Sequence, residues 1–207
     1  MEILRTARLT LSAPTMADAA AITAACQDPA IQEWTTIPSP YGRSDAEGFI
    51  TIVADGWKSG KSPNWALRLA GVAQGNDGRG GAQGETALVG MVGLVDEGSG
   101  SAELGFWLAP DGRGQGLMDE AVEAICRYGF DQMGLDRISW RAHVGNHGSA
   151  AVARRAGFRY EGTMRLGAIQ RGARTDQWLA GRLASDGPLT PEVLADVAAT
   201  WPTETFG

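Results

Sequence analysis

The run Leu104-Gly105-Phe106-Trp107-Leu108-Ala109-Pro110-Asp111-Gly112-Arg113-Gly114-Gln115-Gly116-Leu117-Met118 decides how this chain folds. An apolar strand ends near Leu108, and Pro110, Asp111 and Gly112 break the chain. Leu117, Ala121, Ile125 and Tyr128 then fall on one helical stripe, which predicts a long helix over 113–133. Glycines at 112, 114 and 116 let the main chain turn tightly and approach a ligand closely. A helix start offers unpaired N–H groups and the positive end of its dipole. Together these make an anion site, most simply for a diphosphate, unless the turn carries no ligand at all. Arg113 adds a forked cationic donor. Two rival phosphate motifs fail by letter. A dinucleotide fingerprint needs a third glycine where Leu117 or Asp119 stands. A nucleotide-binding loop over 55–62 needs a glycine where Asp55 stands.

Working outward, seven strands are expected. They are Glu2–Ala13, Asn64–Ala70, Thr86–Val95, Ala102–Leu108, Arg137–Val144, Phe158–Gly167 and Thr175–Leu183. Besides the helix over 113–133, helices are expected after Thr15, after Ser44, and over Asn146–Ala156. Residues 34–43, with Trp34, Pro38, Pro40 and Gly42, read as a loop, and Gly71–Gly84 as a mobile surface loop. The order is a β start, two helices, an antiparallel meander, then β-α-β-α-β-β. That is a mixed α+β layer, not a doubly wound parallel sheet. Two segments are expected: a domain over 1–185, and a tail over 186–207. In the tail, Thr190-Pro191 starts a short helix whose apolar side carries Val193, Leu194, Val197 and Trp201. That side docks either on its own domain or on a partner subunit, so a homodimer is one expectation.

The composition of the 207 residues narrows the function. Hydrophobic residues are 43% and charged residues 20%, enough to bury a core. The net charge of −6 argues against a nucleic-acid binder and suits a cationic acceptor such as an amine. No apolar run is long enough to span a bilayer, and the start lacks the apolar region of a signal peptide. Cys26 and Cys126 are the only cysteines and make no disulfide framework. A cytoplasmic protein with no membrane partner is the expectation.

The stretch Arg113-Gly114-Gln115-Gly116-Leu117 resembles the acetyl-CoA-binding motif of the GNAT superfamily of N-acetyltransferases. Further motifs resemble, in the same order, those of its ribosomal-protein-alanine acetyltransferase (RimJ/RimL-like) branch. They are Leu4-x-Thr6-x-Arg8-Leu9-x-Leu11, Glu103 through Leu108, Asn146-x-x-Ser149, Ala156-Gly157-Phe158-x-x-Glu161-Gly162 and Gly172-x-x-x-Asp176. The resemblance covers roughly residues 3–184. It implies the GNAT fold: a mostly antiparallel sheet splayed between its fourth and fifth strands, flanked by about four helices, with a thioester held in the gap. It implies that the main chain of Phe106, Trp107 and Leu108 bonds the pantetheine arm like an added strand. Arg113, Gly114, Gly116, Leu117, Met118 and Asp119 surround the diphosphate, and Asn146 bonds the pantetheine. Met118 departs from the usual Gly or Ala, so its side chain must point away from the phosphates.

The implied reaction is direct attack of an amine on acetyl-CoA, with no metal. It needs a base for the amine, a donor for the oxyanion and an acid for the departing thiolate. Many relatives place a tyrosine acid where Ala153 stands, so that acid is ruled out. In the ribosomal branch the matching donor is Ser149, whose alternative role is a helix cap. Glu103 is the candidate base, acting through water, or else a structural ion pair. Trp34 and Trp65 are candidates for lining an acceptor pocket. Arg154 and Arg155 either reach the ribose phosphate or form a solvated helix face. His143 and His147 are too differently placed to make a metal pair. The acceptor is a protein N-terminal amine, or a small amine such as an antibiotic, amino acid or polyamine. A CoA-binding module without turnover is the remaining reading.

Overall fold

The computed structural model describes residues 1–70 and 88–206. Eight strands form one open sheet in the order β1-β2-β3-β4-β5-β6-β8-β7. They are β1 (Leu4–Arg5), β2 (Leu9–Ser12), β3 (Asn64–Leu69), β4 (Leu88–Gly98), β5 (Ser101–Leu108), β6 (Arg137–His143), β7 (Arg159–Gln170) and β8 (Ala173–Leu183). The helices are α1 (Ala19–Ala25), α2 (Pro29–Trp34), α3 (Arg43–Ser59), α4 (Leu117–Asp131), α5 (His147–Arg155) and α6 (Pro191–Thr200).

The expected strand count of seven becomes eight because the first strand folds back on itself. Leu4 pairs with Leu11 and Arg5 with Thr10, across a turn at Thr6–Arg8. The helix count rises through α2, which occupies residues just before the expected loop. Asp28 caps it, its Oδ1 accepting from the Ile31 N–H at 3.0 Å, and Pro29 supplies the first helical position. The expected loop over 71–84 lies outside the described residues.

Each β5 neighbour points to the face opposite the one before it. Phe106 and Leu108 pack on one hydrophobic cluster and Trp107 on another. The larger cluster joins the sheet to α4, α5 and α6 through Leu94, Leu104, Ile125, Trp140, Phe158 and Trp178. The smaller one joins α1, α2 and α3 through Ile22, Ile31 and Ile50. Val197 and Trp201 of the tail are buried in the larger cluster, and the Trp201 indole donates to the Phe158 carbonyl at 2.8 Å. The apolar side of the tail helix therefore docks on its own chain.

Among the described residues, β5–β6 is the one parallel pair. It runs from Ser101↔Arg137 to Leu104↔Trp140 and stops there. The antiparallel β4–β5 pairing continues to Gly90↔Leu108. Gly105 through Leu108 thus keep one strand edge unpaired, and the sheet opens between β5 and β6.

Candidate active site

The opening is a cleft of about 1150 Å³. One arm runs along Gly105–Leu108 to the start of α4 and the cap of α5. The other runs across the opposite face of the sheet, past Glu103, Arg141 and His143, to Trp34, Thr35 and Ile37.

The first arm is made of main chain. Residues 110–112 form a single 3₁₀ turn, and Gly114 and Gly116 take left-handed conformations at φ 72° and 70°. Those angles stop a right-handed helix from beginning at Arg113, so α4 starts at Leu117. The N–H groups of Gly112 and Arg113 are taken by Ala109 and Pro110, and that of Glu120 by Gly116. Among the described residues, the six N–H groups from Gly114 through Asp119 have no protein acceptor in hydrogen-bonding geometry. Leu117 and Met118 bury their side chains in the core, at 2% and 3% exposure, so they present only backbone here. The large residue at 118 is accommodated because it points inward.

Arg113 lines the cleft and also braces the turn. Its guanidinium donates to the Leu108 carbonyl (3.1 and 3.0 Å) and to Asp28 Oδ1 (2.6 Å), tying the turn to the start of α2. It lines the cleft while bound to these partners, its Nη1 without one among the described residues, and it holds the Asp28 carboxyl below the usual carboxylate range. Arg155 also faces the cleft, where it grips Asp119 through two bonds of 2.8 and 2.9 Å. That pair offsets a carboxylate sitting among the free amides. Arg154 turns away and stacks over the Phe206 ring at 3.9 Å.

Asn146 caps α5, accepting the Ser149 N–H through Oδ1 at 3.1 Å. Its Nδ2 has no protein acceptor among the described residues, so it can still donate into the cleft. Ser149 also lines the cleft. Its Oγ accepts the Trp140 indole N–H at 3.0 Å. That bond uses an oxygen lone pair and leaves the hydroxyl proton to be given elsewhere.

The second arm is made of side chains. Glu103 receives Arg141 Nη1 at 2.8 Å, while Arg141 also bonds Glu97, which in turn accepts from Ser139 Oγ at 2.7 Å. Burial pushes the Glu103 carboxyl above its ordinary value; Arg141 pulls it down and Glu97 pushes it up. Glu103 is thus ion-paired and cleft-lining at once. His143 Nδ1 shares a 2.7 Å hydrogen bond with Thr175 Oγ1. Trp34 lines this arm, but Trp65 does not. Trp65 is fully buried, its indole donating to the Glu2 carbonyl at 3.1 Å and its ring edge-on to Trp57 and Tyr128. Trp65 is therefore a core residue and does not line the cleft. Gln170, at the end of β7, donates to the Glu33 carbonyl, and Arg171 to that of Gln32 at 2.6 Å. The β7–β8 hairpin is thereby fastened to α2 beside this arm.

The sequence reading missed Arg141, Thr35 and Ile37. Their positions follow from strand register and from α2, and no local pattern marks them. Glu161 is spent on Arg137 (2.7 and 2.5 Å), and Asp176 accepts the Leu166 N–H at 2.7 Å. Among the described residues no group of three or more metal-binding side chains gathers, and no helix is long and apolar enough to cross a membrane.

A parallel strand pair that splays around a glycine turn with free amides makes a cleft suited to an anionic ligand such as a diphosphate. The acetyltransferase (GNAT) domain family matches residues 8–159, and the chain belongs to that family. It is an acetyltransferase by that membership. It is 32% identical to YdaF of Bacillus subtilis (strain 168), whose assignment as a ribosomal N-acetyltransferase is provisional, over 59% of this chain and 67% of that one. It is 29% identical to the ribosomal-protein-serine acetyltransferase of Escherichia coli (strain K12), over 48% of this chain and 56% of the relative. By fold it is similar to RimL, a ribosomal L7/L12 alpha-N-protein acetyltransferase solved with coenzyme A. The TM-score is 0.75, the identity 19%, and the match covers 88% of this chain and 98% of that one.

Proposed function

We propose that this chain transfers the acetyl group of acetyl-CoA to the N-terminal amine of a protein, in the manner of the ribosomal-protein acetyltransferases. The observation that carries the reading is the row of six unpartnered N–H groups at Gly114–Asp119, lining the same cleft as the edge of β5 that no strand pairs. A row of amides at a helix start suits a diphosphate, and a free strand edge suits the amide-bearing pantetheine arm. Acetyl-CoA supplies the activated acetyl group as a thioester. The chain's own residues do the rest. Gly105–Leu108 and Asn146 orient the arm, Glu103 takes a proton from the incoming ammonium by way of water, and Ser149 gives its proton to the leaving sulfur. Trp34 lines the acceptor's path. The names of the relatives support a protein acceptor. The two thiols, Cys26 and Cys126, are buried and unpaired, in keeping with a reducing cytoplasm.

The test is thiol release from acetyl-CoA with a panel of amines. Turnover with N-terminal peptides of ribosomal proteins, and not with free amino acids, polyamines or aminoglycosides, supports the reading. Turnover with small amines alone overturns the acceptor class. Coenzyme binding without turnover on any amine makes the chain a binding module.

A further inference from the structure

We infer that Arg8, 107 residues away along the chain from Gln115 of the glycine turn, is the residue that aims the diphosphate-binding amides. Arg8 lies in the turn between β1 and β2, and it does not line the cleft. Its Nη1 donates to the Gln115 carbonyl at 2.8 Å and its Nη2 to the Gly116 carbonyl at 3.2 Å. A trans peptide unit is planar, with its C=O and the following N–H pointing in opposite directions. Drawing the Gln115 carbonyl toward Arg8 therefore turns the Gly116 N–H away from it. Drawing the Gly116 carbonyl the same way does so for the Leu117 N–H. Both of those N–H groups belong to the unpartnered row, and Gly116 and Leu117 line the cleft.

The bracket needs to be rigid for this to work, and Glu120 makes it so. Its Oε2 accepts Arg8 Nε at 2.7 Å and its Oε1 accepts the Arg8 main-chain N–H at 2.8 Å. One carboxylate thus fixes both the backbone and the side chain of Arg8. Glu120 sits one turn into α4, so the helix, the glycine turn and the β1–β2 turn are locked as one piece. Burial pushes the Glu120 carboxyl up, but bonds from Thr6 and Arg8 outweigh it and hold the group below its ordinary value. The glycines at 114 and 116 have the widest conformational choice in the chain. Without an outside anchor, their peptide planes are free to rotate, and the amide row loses its common direction. Arg8 is a positioning residue, acting through main chain that the ligand touches. No lysine can replace it, because one ammonium cannot reach two carbonyls and a carboxylate in this fixed fan.

This inference rests on the diphosphate reading of the turn, and the experiment separates the two. Coenzyme A and pantetheine, which ends before the diphosphate, are titrated into the wild type and into Arg8→Ala, Arg8→Lys and Glu120→Gln, each checked for folding by circular dichroism. Calorimetry follows the coenzyme and ligand-observed NMR follows pantetheine. Wild-type protein that binds the two ligands equally well overturns the diphosphate reading itself. With that reading intact, Arg8→Ala and Arg8→Lys are each expected to lose about tenfold or more in coenzyme affinity, with pantetheine affinity unchanged. Glu120→Gln is expected to lose less, because the fork still reaches the two carbonyls. Full rescue by lysine overturns the inference in favour of simple charge. Equal weakening of both ligands overturns it in favour of general support of the fold. Unchanged coenzyme affinity in all three variants overturns it outright, and if Arg8→Ala does not fold, the other two variants decide.

Discussion

The proposed donor arm and the proposed acceptor arm of the cleft meet where β5 leaves β6, yet they are built from different material. The donor arm is main chain: the free edge of Gly105–Leu108 and the N–H groups of Gly114–Asp119. Its side chains are buried or engaged behind it, as Met118, Leu117, Arg113 and Arg8 are. The acceptor arm is side chain: Glu103, Arg141, His143 and Trp34, brought from β5, β6 and α2. Backbone donors survive most substitutions, so that arm changes only when the turn itself is bent. Side chains change one letter at a time, so the side-chain arm is the one that single substitutions alter directly.

The sharpest way to break this contrast is Gly114→Val. A β-branched residue at φ 72° strains the turn by about 1–3 kcal/mol. Coenzyme affinity measured by calorimetry is expected to fall by about two orders of magnitude. Retained affinity would mean that the amide row is not the site. Next in size is Ser149→Ala. A missing acid should lower kcat about a hundredfold while leaving coenzyme affinity in place. A mere cap would instead show as a lower melting temperature with kcat intact, although the Asn146 cap bond to the Ser149 amide needs no hydroxyl.

Glu103→Gln probes the junction of the arms. The carboxyl titrates above the ordinary glutamate value because of its burial. Only its deprotonated form can accept a proton, so kcat/KM should rise with pH through that raised pKa. The acid limb is expected to vanish in the glutamine variant, with activity at the plateau lowered about tenfold. An acid limb of unchanged position would assign the base elsewhere. Smallest is Trp34→Ala, expected to raise the acceptor KM about three- to tenfold and to leave the coenzyme KM alone. A change in the coenzyme KM would show that the two arms are not separable at α2.

Local pattern carried the reading furthest where structure is local. The strand, the glycine turn and the helix after it are contiguous, and so are the Asn146 cap and its Ser149 partner. Boundaries slipped where backbone handedness decided them, as at Gly114 and Gly116, which delay α4 by a turn. The alternation across residues 2–13 fits one strand as well as the two that form, because a reversal at Thr6–Arg8 leaves the apolar positions unchanged. Trp34 and Trp65 look alike as candidates by sequence. One lines the cleft and the other fills the core, since β3 lies three strands into the sheet beneath α4.

Composition and contiguous motifs therefore determined the fold class, the family and the glycine turn, all of which depend on short-range hydrogen bonding and on which residues tolerate a left-handed backbone. The tertiary structure alone decided which charged side chains serve the cleft. Arg113 lines the cleft while bonded to Asp28, Arg155 lines it while bonded to Asp119, and Arg8 reaches the turn from 107 residues away. Long side chains take whatever partner the packed elements bring within their span, and that meeting is set by strand order and register, which no stretch of letters states.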